Sequence, residues 1–246
     1  MNALPPPRRA RNLATSYYWH GELIRSRSVG DVVLTSTVAV PAPSARLLAD
    51  WEREVSLQLS LEPGDVEALS LARARTRWPD YRHCVQAVSD WTIALGLQDV
   101  LASSELALMA CRGAKYHHDG AQYGGAAFCN LFLSEDKGLD LHFSSTGHRI
   151  PLVRGTVVVF DTGQPHAVIQ RNSSGFNVAD FPPEQDCTLV FLTWELPIEN
   201  VPVGQALGIT FDIDPSTCLR LDDEQVWVNG ARAKVCPDSG QWSQAD

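Results

Sequence analysis

Apolar residues follow two different spacings along the chain, and the spacing changes near residue 104. Before that point they recur every three or four positions, as Leu47 and Trp51 do, which is typical of one buried helical face. This spacing predicts three helices, over residues 44–61, 65–78 and 81–95. Ser44 is placed to cap the first helix, and a β-branched run over 31–40 predicts a strand ahead of it.

After residue 104, short runs of β-branched and aromatic residues alternate with turn residues such as Gly, Asp and Asn. These runs predict strands over residues 106–111, 126–133, 139–143, 156–160, 166–170 and 187–194. Many short strands at close intervals are typical of a sandwich or barrel of the jelly-roll type. Near the C-terminus, Asn229-Gly230 separates two further apolar runs, which predicts a β-hairpin appended to this core.

These patterns divide the chain into four expected regions. A flexible tail covers residues 1–16, where three prolines precede a basic cluster. A mainly helical support region covers 17–103, and a β-rich core covers 104–196. A C-terminal extension that contains the hairpin covers 197–246. The expected fold class is therefore α+β, mainly β, with N-terminal helices that support a jelly-roll core.

The composition is that of a folded protein with an acidic surface. Hydrophobic residues make up 44% of the 246 residues, enough to bury a sizeable core, and the formal net charge is -9. An acidic surface repels phosphate backbones, so we expect a small-molecule substrate and no nucleic-acid partner. The six cysteines lack zinc-site spacing and are expected to be free thiols. With no signal-peptide pattern and no membrane-length apolar run, we expect a cytoplasmic protein without a membrane partner.

Candidate metal ligands lie in the β-rich core. His117 and Asp119 form a His-x-Asp pair, and residues two positions apart in an extended chain project from the same face. His166 follows Pro165 at the start of a predicted strand and is the candidate third ligand. Two imidazoles and one carboxylate suit divalent iron and leave three coordination positions open for a co-substrate and O₂. The alternatives are a surface turn for the first pair and a loop-capping role for His166.

The order of features around these residues carries a resemblance to a known family. Along the chain these are the His117–Asp119 pair, the strand that begins at Gly138-Leu139, the apolar strand 156–161, His166 and a closing strand that ends at Trp194. In this order the stretch from Glu105 to Glu195 resembles the double-stranded β-helix (cupin-like) core of iron(II)/2-oxoglutarate-dependent oxygenases, especially their prolyl-hydroxylase-like branch. The resemblance implies iron(II), 2-oxoglutarate as co-substrate, and O₂.

The resemblance also implies an activity. Such a dioxygenase couples the decarboxylation of 2-oxoglutarate to the hydroxylation, or another oxidation, of an unactivated C–H bond. Related halogenases carry Gly or Ala where Asp119 stands, so the resemblance favours a hydroxylase. We expect the substrate to be a small, amino-acid-like metabolite, because the acidic chain shows no peptide- or nucleic-acid-binding module. His118 is expected to be a structural neighbour of the ligands.

One position departs from the family pattern. In this branch a basic residue on the strand after the distal histidine pairs with the far carboxylate of 2-oxoglutarate, whereas residues 174–176 are not basic here. The nearest cation is Arg171, the candidate anchor, to which Thr188 would add a hydroxyl hydrogen bond. Strict alternation turns Arg171 away from His166 unless a bulge intervenes. Further candidate cations are Lys115, Lys137, Arg149 and Arg154.

The missing cation motivates a second interpretation, a non-haem iron dioxygenase that does not use 2-oxoglutarate. A third interpretation is a non-catalytic metal-binding barrel that acts as a sensor or binding protein. A complete set of three ligands argues against the third, because a barrel without turnover has no chemical need for it. Oxygen consumption by the iron-loaded protein, with and without 2-oxoglutarate, separates the three interpretations. The sequence pattern does not distinguish a monomer from an oligomer.

Overall fold

The computed structural model describes residues 14–59 and 61–245. Most of the predicted tail, residues 1–13, lies outside these ranges, whereas residues 14–16 belong to the first strand rather than to a tail. Within the described ranges, no helix is both long and apolar enough to cross a membrane.

Strands dominate the described part of the chain. They are β1 (Ala14–His20), β2 (Leu23–Ser28), β3 (Val33–Thr37), β4 (Val66–Leu69), β5 (Glu105–Cys111), β6 (Ala114–His117), β7 (Ala126–Phe132), β8 (Leu139–Phe143), β9 (Arg149–Pro151), β10 (Thr156–Asp161), β11 (His166–Gln170), β12 (Leu189–Pro197), β13 (Gln225–Val228), β14 (Ala231–Val235) and β15 (Trp242–Gln244). The α-helices are α1 (Ala45–Glu54), α2 (Leu71–Arg75), α3 (Tyr81–Ala94), α4 (Val201–Ala206) and α5 (Pro215–Cys218). Helix α1 continues into a π-helical turn over Val55–Leu59.

Strands β5 to β12 form a jelly roll of two antiparallel sheets. The larger sheet has the order β3-β10-β7-β12-β5-β4, and the smaller has the order β6-β11-β8-β9. The chain passes repeatedly from one sheet to the other, so that strands distant in sequence become neighbours. This is the strand order of a double-stranded β-helix, which confirms the predicted fold class.

The two sheets enclose one hydrophobic core, and the helices cover the outside of the larger sheet. Phe160 of the larger sheet packs inside against Phe143 of the smaller sheet, with ring centroids 5.2 Å apart. On the outer face, Trp51 of α1 and Val88 of α3 belong to a second buried cluster with Trp194 of β12. The apolar positions that predicted these helices are therefore the positions that pack on the sheet.

One predicted helix is divided between a strand and a short helix. Residues 65–78 form β4 and the short helix α2 instead of a single helix. Strand β4 pairs with the last residues of β5, which satisfies backbone groups along the edge of the larger sheet. Pairing with an available edge outweighed the weak helical preference of this segment. Besides its helices, the region 17–103 contains β1 to β4.

A third sheet joins the two ends of the described chain. Its order is β15-β14-β13-β1-β2, so the predicted hairpin pairs with the N-terminal strand β1 instead of standing alone. Asn229 and Gly230 have φ angles of 52° and 81°, as a two-residue hairpin turn requires. The sheet packs closely on one end of the barrel, where a Cβ atom at Gly124 would lie 2.7 Å from Cβ of Tyr18.

Candidate metal centre

The three candidate ligands meet at this end of the jelly roll. His117 is the last residue of β6 and His166 is the first of β11, and the two are partners in an antiparallel pair. Asp119 follows in the turn after β6, where its backbone N–H donates to the Thr162 carbonyl at 2.8 Å. The possible ligand atoms of the three side chains lie within 4.8 Å of one another. Strand pairing thus brings together side chains that the sequence separates.

The carboxylate of Asp119 lies between the two imidazoles. One of its oxygens is 3.6 Å from Nε2 of His117, and the other is 3.5 Å from Nε2 of His166. The ring centroids of the two histidines are 4.4 Å apart. The side chains therefore form a compact group of two nitrogen donors and one carboxylate.

Hydrogen bonds to the backbone select the tautomer of both imidazoles. Nδ1 of His117 donates to the Lys115 carbonyl at 2.7 Å, and Nδ1 of His166 donates to the Gln164 carbonyl at 2.9 Å. Because a carbonyl oxygen only accepts, the proton resides on Nδ1 and the lone pair of Nε2 is left on the side of the carboxylate. This donor set fits divalent iron, for which imidazole and carboxylate are suitable ligands.

Burial favours the neutral imidazole of His166. Burial, followed by the neighbouring His117, holds the pKa of His166 well below its usual range. Burial also raises the pKa of Asp119, although the nearby His117 and His118 act in the opposite direction. A divalent cation would stabilise the carboxylate of Asp119 and accept the Nε2 lone pairs of the two histidines.

The barrel interior is open beside the candidate ligands and filled at its other end. Near the ligands, the inward-facing side chains of Met109 and Thr193 are partly exposed. At the other end, the inward-facing Leu139 and Leu189 are fully buried. The ligand group therefore lies at the less buried end of the barrel.

A buried ion pair holds the loop that leads to the third ligand. Arg27 of β2 and Asp161 of β10 have fully buried side chains, joined by hydrogen bonds of 2.6 and 2.8 Å. The Asp161 carboxylate also accepts from the backbone N–H groups of Gly30 and Gly163, while Arg27 donates to the Gly124 carbonyl. Arg27 has no local signal in the sequence, because its partner lies 134 residues away. Asp161 did have a local signal in the sequence. It is an acidic residue at the end of an apolar strand, two positions before a glycine.

His118 lies beside the ligands without joining them. Its ring packs against Trp242 of β15, with centroids 5.2 Å apart. Burial lowers the pKa of this imidazole, and its Nδ1 has no hydrogen-bond partner among the described residues. The third sheet therefore covers this side of the His-x-Asp segment.

The structure does not bring Arg171 to the candidate ligands. Its guanidinium donates to Asp140 at 2.9 Å and to the two carboxylate oxygens of Asp136 at 2.8 and 2.9 Å. Asp140 is the strand partner of Ile169, which packs with Tyr116 in a cluster separate from the barrel core. Arg171 thus lies on the outer face of the smaller sheet, as strict alternation predicts. A role for Arg171 in binding 2-oxoglutarate stays a prediction that these contacts do not support.

The other candidate cations also point away from the ligands. Lys137 and Arg154 form ion pairs with acidic side chains, and Arg149 donates to backbone carbonyls after β11. Lys115 is exposed and its side chain lies along Gly64 at the sheet edge. None of the five candidate cations therefore projects into the open end of the barrel.

Thr188 lies at the opposite end of the barrel. With Arg112 it lines an open cleft with a volume of about 1210 Å³. The adjacent Cys187 contacts Gln170, which is at the far end of β11 from His166. Four residues of extended chain span roughly 13 Å. Thr188 is thus remote from the candidate ligands, and its role in cofactor binding stays a prediction without support from these contacts.

No protein-family model matches this chain, and no curated protein matches it. Among solved structures, a prolyl-4-hydroxylase from Pseudomonas putida is 18% identical, and the match covers 69% of this chain and 92% of the hydroxylase at a TM-score of 0.36. EvdO2 from Micromonospora carbonacea var. aurantiaca is 12% identical, with coverage of 77% and 92% and a TM-score of 0.42. The epimerase SnoN, in complex with Fe3+, alpha ketoglutarate and nogalamycin RO, is 12% identical, with coverage of 67% and 78% and a TM-score of 0.36.

The strand order of the two sheets, rather than these low similarities, defines the fold. Strands β5 to β12 are arranged as the double-stranded β-helix that the sequence resemblance predicted. The His-x-Asp pair and the distal histidine meet at one end of it. The chain therefore has a double-stranded β-helix fold with a candidate metal site at one end.

Proposed function

We propose that this protein is a mononuclear non-haem iron(II) oxygenase that oxidises a C–H bond of a small metabolite. The observation that carries the proposal is the group of His117, Asp119 and His166, whose ligand atoms lie within 4.8 Å of one another at the open end of the barrel. Two imidazoles and one carboxylate leave coordination positions for a substrate and O₂. Bound iron would supply the activation of O₂ that C–H oxidation requires.

The residues of the chain would hold the ion and shape its surroundings. His117 and His166 would coordinate through Nε2, because backbone carbonyls hold the protons on Nδ1. Asp119 would supply the carboxylate from a turn that its backbone anchors to Thr162. Phe160 packs against the ring of His166 at 4.9 Å between centroids and excludes water from that side.

2-Oxoglutarate is the co-substrate that the family resemblance implies. Its keto acid end suits two open coordination positions, while its far carboxylate needs a donor inside the barrel. Thr193, on the inward face of β12, offers a hydroxyl group there. A neutral donor holds a carboxylate less strongly than a bidentate arginine does, so we expect weak binding of 2-oxoglutarate.

Because none of the five candidate cations faces the open end of the barrel, a second candidate is an iron dioxygenase that does not use 2-oxoglutarate. In the described part of the chain, the inward charged residues at the open end of the larger sheet are Glu105 and Glu195. Their carboxylates would repel a dicarboxylate that binds beside them. In this case the substrate itself would take the coordination positions that 2-oxoglutarate takes in the family.

Oxygen consumption by the anaerobically iron-loaded protein tests the proposal and separates the two candidates. With a panel of small metabolites, O₂ uptake that requires 2-oxoglutarate and releases succinate supports the first candidate. Uptake that proceeds without 2-oxoglutarate supports the second. Asp119→Ala is the control for iron that reacts in free solution. A protein that binds iron stoichiometrically but consumes no O₂ under either condition contradicts the oxygenase proposal and leaves a metal-binding barrel.

A further inference from the structure

Two glutamates face each other on the inner surface of the barrel at its open end. Glu105 of β5 and Glu195 of β12 are partners in an antiparallel pair. Side chains alternate along each strand, so Glu195 shares the inward face of Phe191, and Glu105 shares that of Met109. The two carboxylates therefore project into the space between the sheets.

This pair lies at the same end of the barrel as the candidate metal ligands. Glu195 is the strand partner of Phe128 on β7. The ring of Phe128 contacts Phe160 with centroids 6.0 Å apart, and Phe160 contacts His166 at 4.9 Å. Two aromatic rings thus connect the glutamate pair to the metal centre along one wall.

The two carboxylates have no cation between them. Within residues 14–59 and 61–245, neither the Glu105 nor the Glu195 carboxylate takes part in an ion pair or a side-chain hydrogen bond. Like charges directly opposite each other on a sheet are destabilising. Accordingly burial, followed by the neighbouring Glu105, raises the pKa of Glu195. A ligand with a positive charge would relieve this repulsion.

A buried amide on the same face is also without a partner. Asn130 of β7 is 8% exposed, and its Oδ1 accepts no hydrogen bond in the described structure. It is the strand partner of Thr193, two residues from Glu195 on the inward face. An unpaired buried acceptor is unfavourable, and most buried polar atoms in proteins have a partner. Asn130 is therefore placed to accept a hydrogen bond from a bound molecule.

Tyr123 links this acidic face to the metal centre. Its backbone N–H donates to the Asp119 carbonyl at 2.8 Å, and its ring contacts Phe128 at 5.1 Å between centroids. Phe128 is in turn the strand partner of Glu195, so the three residues share one wall of the opening. The wall of the opening thus presents acceptors and negative charge.

We propose that Glu105, Glu195 and the Asn130 carbonyl bind a positively charged nitrogen of the substrate, an ammonium or guanidinium group, beside the metal centre. Charge-assisted hydrogen bonds to the two carboxylates would supply most of the affinity. The proposal deepens the proposed function, on which it rests for the metal centre, by naming the charge class of the substrate. The cationic nitrogen would hold the molecule against the larger sheet while its C–H bond faces the metal ligands.

Paramagnetic NMR with Mn(II) in place of iron tests this proposal. Mn(II) broadens proton signals of molecules that bind near it, so three probes of similar size are compared, n-butylammonium, butyramide and butyrate. We expect the ammonium to be broadened at the lowest concentration. Glu195→Gln and Glu105→Gln should each weaken its binding by about tenfold, the loss of one charge-assisted hydrogen bond. Glu105→Lys should transfer the preference to butyrate.

Glu67→Gln is the matched control, because Glu67 is an exposed glutamate of β4 opposite Ala110, which faces the outer core cluster. It should leave ammonium binding unchanged. Butyrate or butyramide that binds wild-type protein as tightly as the ammonium overturns the proposal. An unchanged ammonium affinity in the double variant of Glu105→Gln and Glu195→Gln does the same.

Electron paramagnetic resonance of Mn(II) keeps the two proposals apart. If wild-type protein binds no Mn(II) or iron, the proposed function fails, and saturation-transfer NMR of the metal-free protein measures the probe preference instead. An ammonium preference that the glutamine variants abolish then supports the acidic face on its own. If Mn(II) binds but the ammonium shows no preference, the substrate inference fails and the metal proposal stands.

Discussion

At the scale of single residues, the fitness of the candidate site for a metal ion depends on which ring nitrogen of each histidine carries the proton. The Lys115 and Gln164 carbonyls hold the Nδ1 protons of the two ligand histidines, which leaves Nε2 for coordination. The same hydrogen bonds limit rotation of the rings. A metal ion that binds here therefore orders few additional side-chain torsions, which favours tight binding.

We expect His117→Ala, Asp119→Ala and His166→Ala each to abolish the stabilisation that Fe(II) or Mn(II) provides. A metal at about a hundredfold its dissociation constant stabilises the native state by about 2.7 kcal/mol, and each variant lacks one ligand. Thermal unfolding of the anaerobic protein with and without metal measures the effect. His118→Ala is the matched control, because this adjacent imidazole packs on Trp242. Stabilisation that survives in all three ligand variants places the metal elsewhere.

At the scale of secondary-structure elements, β2 supports the metal end of the jelly roll without belonging to it. Two arginines of this strand lie in different surroundings. Arg27 pairs with Asp161 and neither side chain is exposed, whereas Arg25 pairs with Glu199 and Asp212 and is 30% exposed. Removal of one partner of a buried pair leaves the other charge without hydration, so the two arginines should differ in their effect on stability.

We expect Arg27→Met to lower the free energy of unfolding by about 3–5 kcal/mol, the cost of an uncompensated buried charge. Arg25→Met should lower it by about 1 kcal/mol or less, as partly exposed ion pairs do. Chemical denaturation of both variants measures the difference. Because Asp161 organises the loop before His166, Arg27→Met should also weaken metal binding, while Arg25→Met should not. Equal losses in the two variants would show that the buried pair has no special role.

At the scale of the whole molecule, acidic side chains outnumber basic ones. Several of the basic side chains already form ion pairs or hydrogen bonds within the protein. The chain has 29 Asp and Glu against 20 Lys and Arg. Near the barrel, Arg27, Arg154 and Arg171 pair with carboxylates, and Arg149 mainly with backbone carbonyls. The excess negative charge repels polyanions and attracts small cations, which agrees in sign with the acidic face proposed beside the metal centre.

We expect negligible affinity for random duplex DNA at physiological salt, because the formal net charge of -9 opposes the approach of phosphates. Fluorescence anisotropy of a labelled random duplex, titrated with the protein at low and at physiological salt, measures this affinity. Micromolar binding that falls steeply with salt would instead require a clustered basic surface.

The sequence by itself determined the strands of the jelly roll, because alternation and turn residues are local properties. The strand predicted over 156–160 is β10 (Thr156–Asp161), and that predicted over 166–170 is β11 (His166–Gln170). The His-x-Asp pair was also readable, since its ligands are two positions apart. The structure brings the distal histidine, the third member of the motif, to this pair.

Only the tertiary structure decided what these strands face. Arg27 and Asp161 are 134 residues apart, and Glu105 meets Glu195 only because β5 pairs with β12. In the sequence, such residues are indistinguishable from ordinary charges at strand ends. Arg171 likewise lies on the outer face of the smaller sheet, where it pairs with Asp136 and Asp140. The sequence did not identify these two residues as its partners. Local spacing determines which side of a strand a residue occupies, whereas the pairing of distant strands determines its neighbours there.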